Sequence, residues 1–182
     1  MDKKSQRSVM KAVLAGITDK DSQSRAIADI LKNLRLPDGG ICIYNALSSE
    51  VNTEEIIEFF LQSRDVFLPV VKGEDIMLVK IDGNTRYVEG KWGILEPVGD
   101  LLAPEAARPS VTVTPLLGAD RRLHRLGKGK GYYDRYFAKL QTYKVGLAFK
   151  EQVIEEIVCD EWDKSLDMLI TPDGAVKRED VR

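Results

Sequence analysis

The densest chemistry in the chain lies in one run, Arg125-Leu126-Gly127-Lys128-Gly129-Lys130-Gly131-Tyr132-Tyr133-Asp134-Arg135. Three glycines alternate with two lysines, and an aspartate follows the two tyrosines. Glycine has no side chain to shield the backbone and reaches angles that other residues avoid. Successive amide N–H groups of such a run can converge on an anion. Lys128 and Lys130 add point charges and Arg125 a planar fork of donors. Apolar spacing predicts a helix from Tyr132 to Leu140, and a helix start favours phosphate. Asp134 is placed where a carboxylate could hold magnesium against that phosphate. The residues describe a phosphate-binding loop with a metal carboxylate beside it.

The run is neither of the common nucleotide motifs. No Ser or Thr follows Lys130 as a P-loop requires, and G-x-G-x-G is not the dinucleotide spacing G-x-G-x-x-G. A flexible basic loop before an amphipathic helix is the plainer alternative. The 27 basic and 29 acidic side chains give a net charge of −2. That balance argues against a general grip on nucleic acid, and the cluster of basic groups between Arg121 and Arg135 points to a small anion. Cys42 and Cys159 form no CxxC pair, and their apolar surroundings suggest buried thiols. The single His124 is a local anion contact at most.

These groups need a frame, and 182 residues with 43% apolar content suit one domain spanning 1–182. No apolar run approaches the roughly 20 residues that span a bilayer, and the start lacks a signal peptide's apolar stretch. A cytoplasmic protein without membrane association is expected. Helices are predicted from Lys3 to about Ala15, after a Ser22 or Ser24 cap, and after Asn52 with Glu55 as its capping-box partner. Strands are predicted at Ile41–Tyr44, Val66–Val71, Ile76–Ile81, Val111–Thr114, Lys144–Phe149 and Asp167–Thr171. Pro69 suggests that its strand ends early or lies at an edge. Tyr87 to Ala107 reads as loop. The alternation predicts an α/β fold, a mostly parallel sheet between helical layers, with ligand beyond the carboxyl ends of its strands.

With these segments placed, the chain resembles the 5-formyltetrahydrofolate cyclo-ligase family along nearly its whole length. The glycine run resembles the family's R-L-G-x-G-x-G-Y-Y-D-R. Glu50-Val-Asn-Thr53 resembles its E-x-x-T, Phe67-Leu-Pro-Val70 its L-P strand, Gly93-Ile-Leu-Glu-Pro97 its G-I-x-E-P turn, and Lys3-Lys-Ser-Gln-Arg7 its K-x-x-x-R. The resemblance implies a Rossmann-like three-layer α/β/α fold. It also implies an ATP- and magnesium-dependent closure of 5-formyltetrahydrofolate to 5,10-methenyltetrahydrofolate, with ADP and phosphate released, by a monomer or weakly associated chain.

The resemblance further assigns roles. Lys3, Lys4 and Arg7 meet ATP phosphates, with Arg125, Leu126, Gly127, Lys128, Gly129, Lys130, Gly131, Tyr132 and Tyr133 forming the nucleotide loop. Lys130 stabilises the transferring phosphoryl group, and Tyr132 packs on the folate with its hydroxyl near the formyl oxygen. Asn45, Glu50, Trp92 and Lys128 contact folate, and Asp134 and Asp163 hold the metal. Residue by residue, plainer readings stand beside these: a solvated terminal helix for Lys3 and Arg7, helical core for Tyr133, a helix-entry charge for Glu50, a core ring for Trp92, and solvated surface for Asp163. The chain departs from the family's P-G-x-A-F-D-x-x-G-x-R at Leu116, Ala119 and Leu123, which predicts a differently shaped entry to the loop. Those changes motivate a relative with another acceptor as one alternative. An RNA-binding module stacking bases on Tyr132 and Tyr133 is another.

Overall fold

Short continuous apolar runs mark strands that are buried on both faces. A computed structural model describes residues 2–90 and 93–181. Its helices are α1 (Lys3–Gly16), α2 (Lys20–Asn33), α3 (Glu54–Leu61), α4 (Pro104–Ala107) and α5 (Tyr132–Lys139). Its strands are β1 (Ile41–Ile43), β2 (Val66–Lys72), β3 (Asp75–Ile81), β4 (Tyr87–Glu89), β5 (Leu95–Pro97), β6 (Val111–Thr114), β7 (Gly118–Asp120), β8 (Arg125–Leu126), β9 (Tyr143–Leu147), β10 (Val153–Ile154), β11 (Met168–Thr171) and β12 (Gly174–Lys177).

A seven-stranded sheet runs in the order β12-β11-β9-β6-β1-β2-β3. Its five inner strands are parallel, and an antiparallel strand closes each edge. Ile41, Ile43, Val66, Leu68, Val113, Val145 and Ile170 cluster with Met10 and Leu14 of α1, Ile27 and Leu31 of α2, and Ile56 and Phe60 of α3. Cys42 and Phe67, one residue out of phase, join Tyr136 and Phe137 of α5 in a separate cluster. Three helices therefore cover one face and α5 the other, which is the expected three-layer α/β/α arrangement. The Tyr136 hydroxyl, 3.1 Å from Thr112 Oγ1, anchors α5 to β6.

From β1 the chain crosses through α3 to β2 on one side, whereas from β6 it passes through α5 to β9 on the other. The order reverses between neighbouring β1 and β6, and such a reversal opens a crevice at the carboxyl ends.

Pro69 does not end β2 but lies where its β1 side is open, so the strand is an edge there, as expected. Pairing with β1 stops at Phe67, while pairing with β3 continues to Lys72. Leu78, opposite Pro69, exchanges both backbone bonds with Leu102 on its far side, so the pair is non-hydrogen-bonded and the N–H that Pro69 lacks would face away from β3. Several local expectations are corrected. Helix α2 starts at Lys20 after Asp19, leaving Ser22 and Ser24 inside it. Thr53, not Asn52, is the N-cap residue of α3, and Asn52 Oδ1 accepts from Glu54 N at 2.8 Å. The stretch from Tyr87 to Ala107 is not loop throughout, because it holds the β4–β5 hairpin and α4. Among the described residues no helix is long and apolar enough to cross a membrane.

Candidate functional site

The exit of β1 is braced before it reaches any ligand. The Tyr44 hydroxyl donates to Val51 O at 2.9 Å, and the buried Thr53 hydroxyl donates to Tyr44 O at 2.7 Å. Burial, with Glu50 nearby, pushes the Tyr44 phenol well above its ordinary value, so it remains a donor. Inside this brace a tight turn brings Glu50 N to Leu47 O, and Leu47 N donates back to Glu50 Oε2 at 2.9 Å. The Glu50 carboxylate is thereby aimed across the crevice. Asn45 Nδ2 donates to Leu95 O at 2.8 Å, joining this rim to the β4–β5 hairpin.

The exit of β6 carries the opposite wall. After Thr114 the chain makes the β7–β8 hairpin, pairing Gly118 with Leu126 and Ala119 with Arg125. Leu123 in its turn has a φ of 69°, in the left-handed region that favours glycine. The Leu116, Ala119 and Leu123 side chains lie together in a buried cluster with Ala148, Leu166 and Leu169. The departures are therefore beneath the loop, and none lines the cleft.

Beyond β8 the glycine run bends twice into the left-handed region, at Gly129 (φ 95°) and at Gly131 (φ 69°), the N-cap residue of α5. A Cβ on Gly131 would lie 2.8 Å from Arg135 Nη1. Arg135 donates from Nε and Nη2 to Glu74 O at 3.0 and 2.6 Å and from Nη1 to Lys130 O at 3.1 Å, and its guanidinium lies 5.3 Å from the Tyr132 ring centroid. It pins the C-terminal end of the loop to the β2–β3 turn. Arg125, buried against the rings of Tyr133 and Phe137, donates from Nη2 to Asp134 Oδ1 at 2.7 Å, while its Nε has no hydrogen-bond partner. Burial raises the Tyr133 phenol well above its usual range, and the ring packs on Tyr136 and Phe137.

Helix α1 closes the third side. Arg7 Nε donates to Gly127 O at 3.0 Å, and a Cβ on Gly129 would stand 3.1 Å from Arg7 Cζ. The Lys3 ammonium reaches Asp160 Oδ2 at 2.6 Å and also Asp163. Burial opposes its charge, but the two carboxylates outweigh that and raise its pKa. Gln6 bolts α1 to the same segment, donating to Glu156 O and accepting from Val158 N. Gly129→Ala is expected to strain the loop and displace Arg7, destabilising the protein by about 1–3 kcal/mol. Thermal unfolding reads this, with an unchanged far-ultraviolet spectrum showing that the fold persists.

These walls enclose a cleft of about 930 Å³. Lys3, Arg7, Asn45, Glu50, Asp163 and the whole run from Arg125 to Arg135 line it, so residues up to 160 positions apart in sequence meet there. Lys4 is exposed and outside the lining, and Trp92 lies outside the described residues. His124 is tied to a carboxylate, with Nδ1 2.9 Å from Asp120 Oδ2. Cys42 is buried as expected, its thiol pushed up to about 12 by desolvation. Cys159 is exposed, contrary to expectation, because the segment after Ile157 runs along the surface. Sequence reasoning missed Trp162, Arg135 and Asp160 as cleft residues. Trp162 is 62% exposed on the lining, a ring open to stacking, and its place beside Asp163 was the available signal.

Among the described residues no group of three His, Cys, Asp or Glu side chains is placed to hold a metal. Magnesium needs less, one or two carboxylates with phosphate oxygens and water. Asp134 and Asp163 both line the cleft beside the cationic loop, held respectively by Arg125 and Lys3. That donor set fits a magnesium ion arriving with phosphates that compete for those two cations.

Known proteins share this architecture. The chain is 31% identical over 194 residues to a probable 5-formyltetrahydrofolate cyclo-ligase of Schizosaccharomyces pombe, covering 94% of this chain and 95% of the relative. The solution structure of 5,10-methenyltetrahydrofolate synthetase from Aquifex aeolicus superposes with a TM-score of 0.85 at 28% identity, over 100% of this chain and 95% of that one. The 5,10-methenyltetrahydrofolate synthetase of Mycoplasma pneumoniae superposes with a TM-score of 0.72 at 26% identity, over 94% and 99%. A family profile matches residues 1–172, and the chain belongs to the 5-formyltetrahydrofolate cyclo-ligase family.

Proposed function

We propose that this protein converts 5-formyltetrahydrofolate to 5,10-methenyltetrahydrofolate, consuming ATP with magnesium and acting as a single chain. The observation that carries the reading is one cleft, at the strand-order reversal, in which the Gly127–Gly131 loop with its lysines faces the Glu50–Asn45 rim. A formyl amide oxygen is a poor leaving group. Phosphoryl transfer from ATP to that oxygen yields ADP and a phosphorylated formyl group. The anilino nitrogen then attacks the formyl carbon and gives up its proton to water, and phosphate departs with the former formyl oxygen as the ring closes.

Such a transfer needs positioning and positive charge more than covalent help from the protein. Lys130 supplies the charge next to the transferring group, while Arg7, Arg125 and the loop orient the phosphates. Asp134 and Asp163 hold magnesium, which neutralises charge on the phosphate oxygens when bound. Glu50 accepts pterin N–H donors, its second oxygen held by Leu47 N. Tyr132 packs on the folate, and Trp162 offers its ring to the adenine.

The test is direct. Purified protein mixed with 5-formyltetrahydrofolate, ATP and magnesium is expected to raise the near-ultraviolet absorbance of the methenyl product, with one ADP formed per turnover. Asp134→Asn is expected to raise the magnesium needed for half-maximal rate about tenfold, the scale of a group that supports a bound metal. ATP binding without product formation would reject the reaction and favour another acceptor in the same cleft.

A further inference from the structure

An ion pair joins the glycine loop to the Glu50 rim across the cleft. Lys128 Nζ of the glycine loop donates to Glu50 Oε1 at 2.5 Å, joining the two walls that the proposed reaction assigns to different substrates. The pair is lopsided in solvation: the Glu50 side chain is 7% exposed and that of Lys128 44%. Glu50 is held rigidly by its turn, whereas Lys128 sits on a glycine-flanked segment. We propose that the Glu50–Lys128 bridge is an interlock that makes the binding of the folate and of the nucleotide mutually reinforcing. The inference rests on the proposed reaction for the identity of the two ligands.

The physical reason is that both ligands must break the same bond. Pterin N–H donors that take Glu50 displace the ammonium. Phosphate oxygens that take Lys128 displace the carboxylate. Nucleotide arriving first leaves a nearly buried carboxylate without its cation, which is costly. Folate arriving first replaces that cation with its own donors and releases Lys128 toward the loop. Whichever ligand comes second finds the bridge already broken and binds more tightly. Thermodynamic linkage requires each ligand to improve the affinity of the other by one common factor, typically between about 5 and 150. Lys128 therefore couples the two sites, its ammonium held by Glu50 when the cleft is empty and turned toward phosphate more readily once Glu50 is occupied.

The experiment is calorimetric titration with a non-hydrolysable ATP analogue and magnesium, with and without saturating 5-formyltetrahydrofolate. In the natural protein folate is expected to tighten nucleotide binding roughly tenfold or more. The reverse titration is expected to return the same factor. In Lys128→Met the factor is expected to fall to about one, even though nucleotide binds more weakly overall, and Lys128→Arg, which keeps the bridge, is expected to restore it. Independent binding in the natural protein, or a factor that survives Lys128→Met, overturns the interlock and leaves the reaction standing. Failure of the natural protein to bind the folate at all overturns both.

Discussion

Lys130→Ala is expected to lower kcat by about a hundredfold to a thousandfold, the usual cost of deleting one preorganised charge that faces developing negative charge. Lys130 lines the cleft between Gly129 and Gly131, both in the left-handed region, and its own carbonyl is held by Arg135 Nη1 at 3.1 Å. The backbone beneath it is thus fixed from both sides, so the side chain leaves the cleft wall from a fixed point. A charge that acts mainly in the transition state changes kcat more than ground-state affinity. Single-turnover measurement with both substrates saturating separates the two. Lys130→Arg is expected to recover little, because a guanidinium fork is not equivalent to a compact ammonium. A rise in KM with kcat unchanged would instead assign Lys130 to simple phosphate binding.

Asp120→Asn is expected to destabilise the protein by about 3 kcal/mol, the scale of hydrogen bonds to a buried charged group. Asp120 is fully buried and accepts from Arg122 N at 2.9 Å, His124 N at 3.0 Å and Ile157 N at 3.0 Å, with His124 Nδ1 2.9 Å from its second oxygen. An amide offers one acceptor oxygen to these donors and turns its own N–H groups toward the others. For a chain of this size the melting temperature should fall by about 10 °C. Burial alone would raise the carboxyl's pKa, but the N–H groups of Ile157 and His124 and the imidazole outweigh it, holding the value below the ordinary 3.8. A carboxyl depressed in the folded state contributes stability that is present above its unfolded value and is lost as pH falls through the folded one. The gap between the natural protein and Asp120→Asn should therefore be full at neutral pH and narrow in strongly acidic buffer. A gap that does not change with pH would show that geometry, not ionisation, carries the effect. Asp120 also links the hairpin that launches the loop to the segment bearing Asp160 and Asp163, so reduced nucleotide affinity should accompany the loss of stability.

The α/β alternation, all five inner strands of the large sheet and the glycine loop before α5 were legible in the chain. Each is written locally: apolar residues at a spacing of two or three to four, and glycines where the backbone must turn left-handed. Short elements were not legible. The β7–β8 hairpin and β10 are two or three residues per strand, held by partners far away in sequence, as in the pairing of Val153 with Ala119. Periodicity cannot appear in so few residues. The exposure of Cys159 was missed because an apolar neighbourhood in sequence does not reveal which segments run along the surface.

The sequence by itself determined the family, the layered fold and the polar loop that lines one wall of the cleft, because a long motif and local periodicity are properties of neighbouring residues. Only the tertiary structure decided how those side chains are paired. Lys3 with Asp160 and Asp163, Arg125 with Asp134 and Lys128 with Glu50 are each a cation and a carboxylate brought together by folding. Charge pairing depends on distances of a few ångströms between groups as much as 160 positions apart, and those distances are set by the strand order and by which helices cover which face of the sheet.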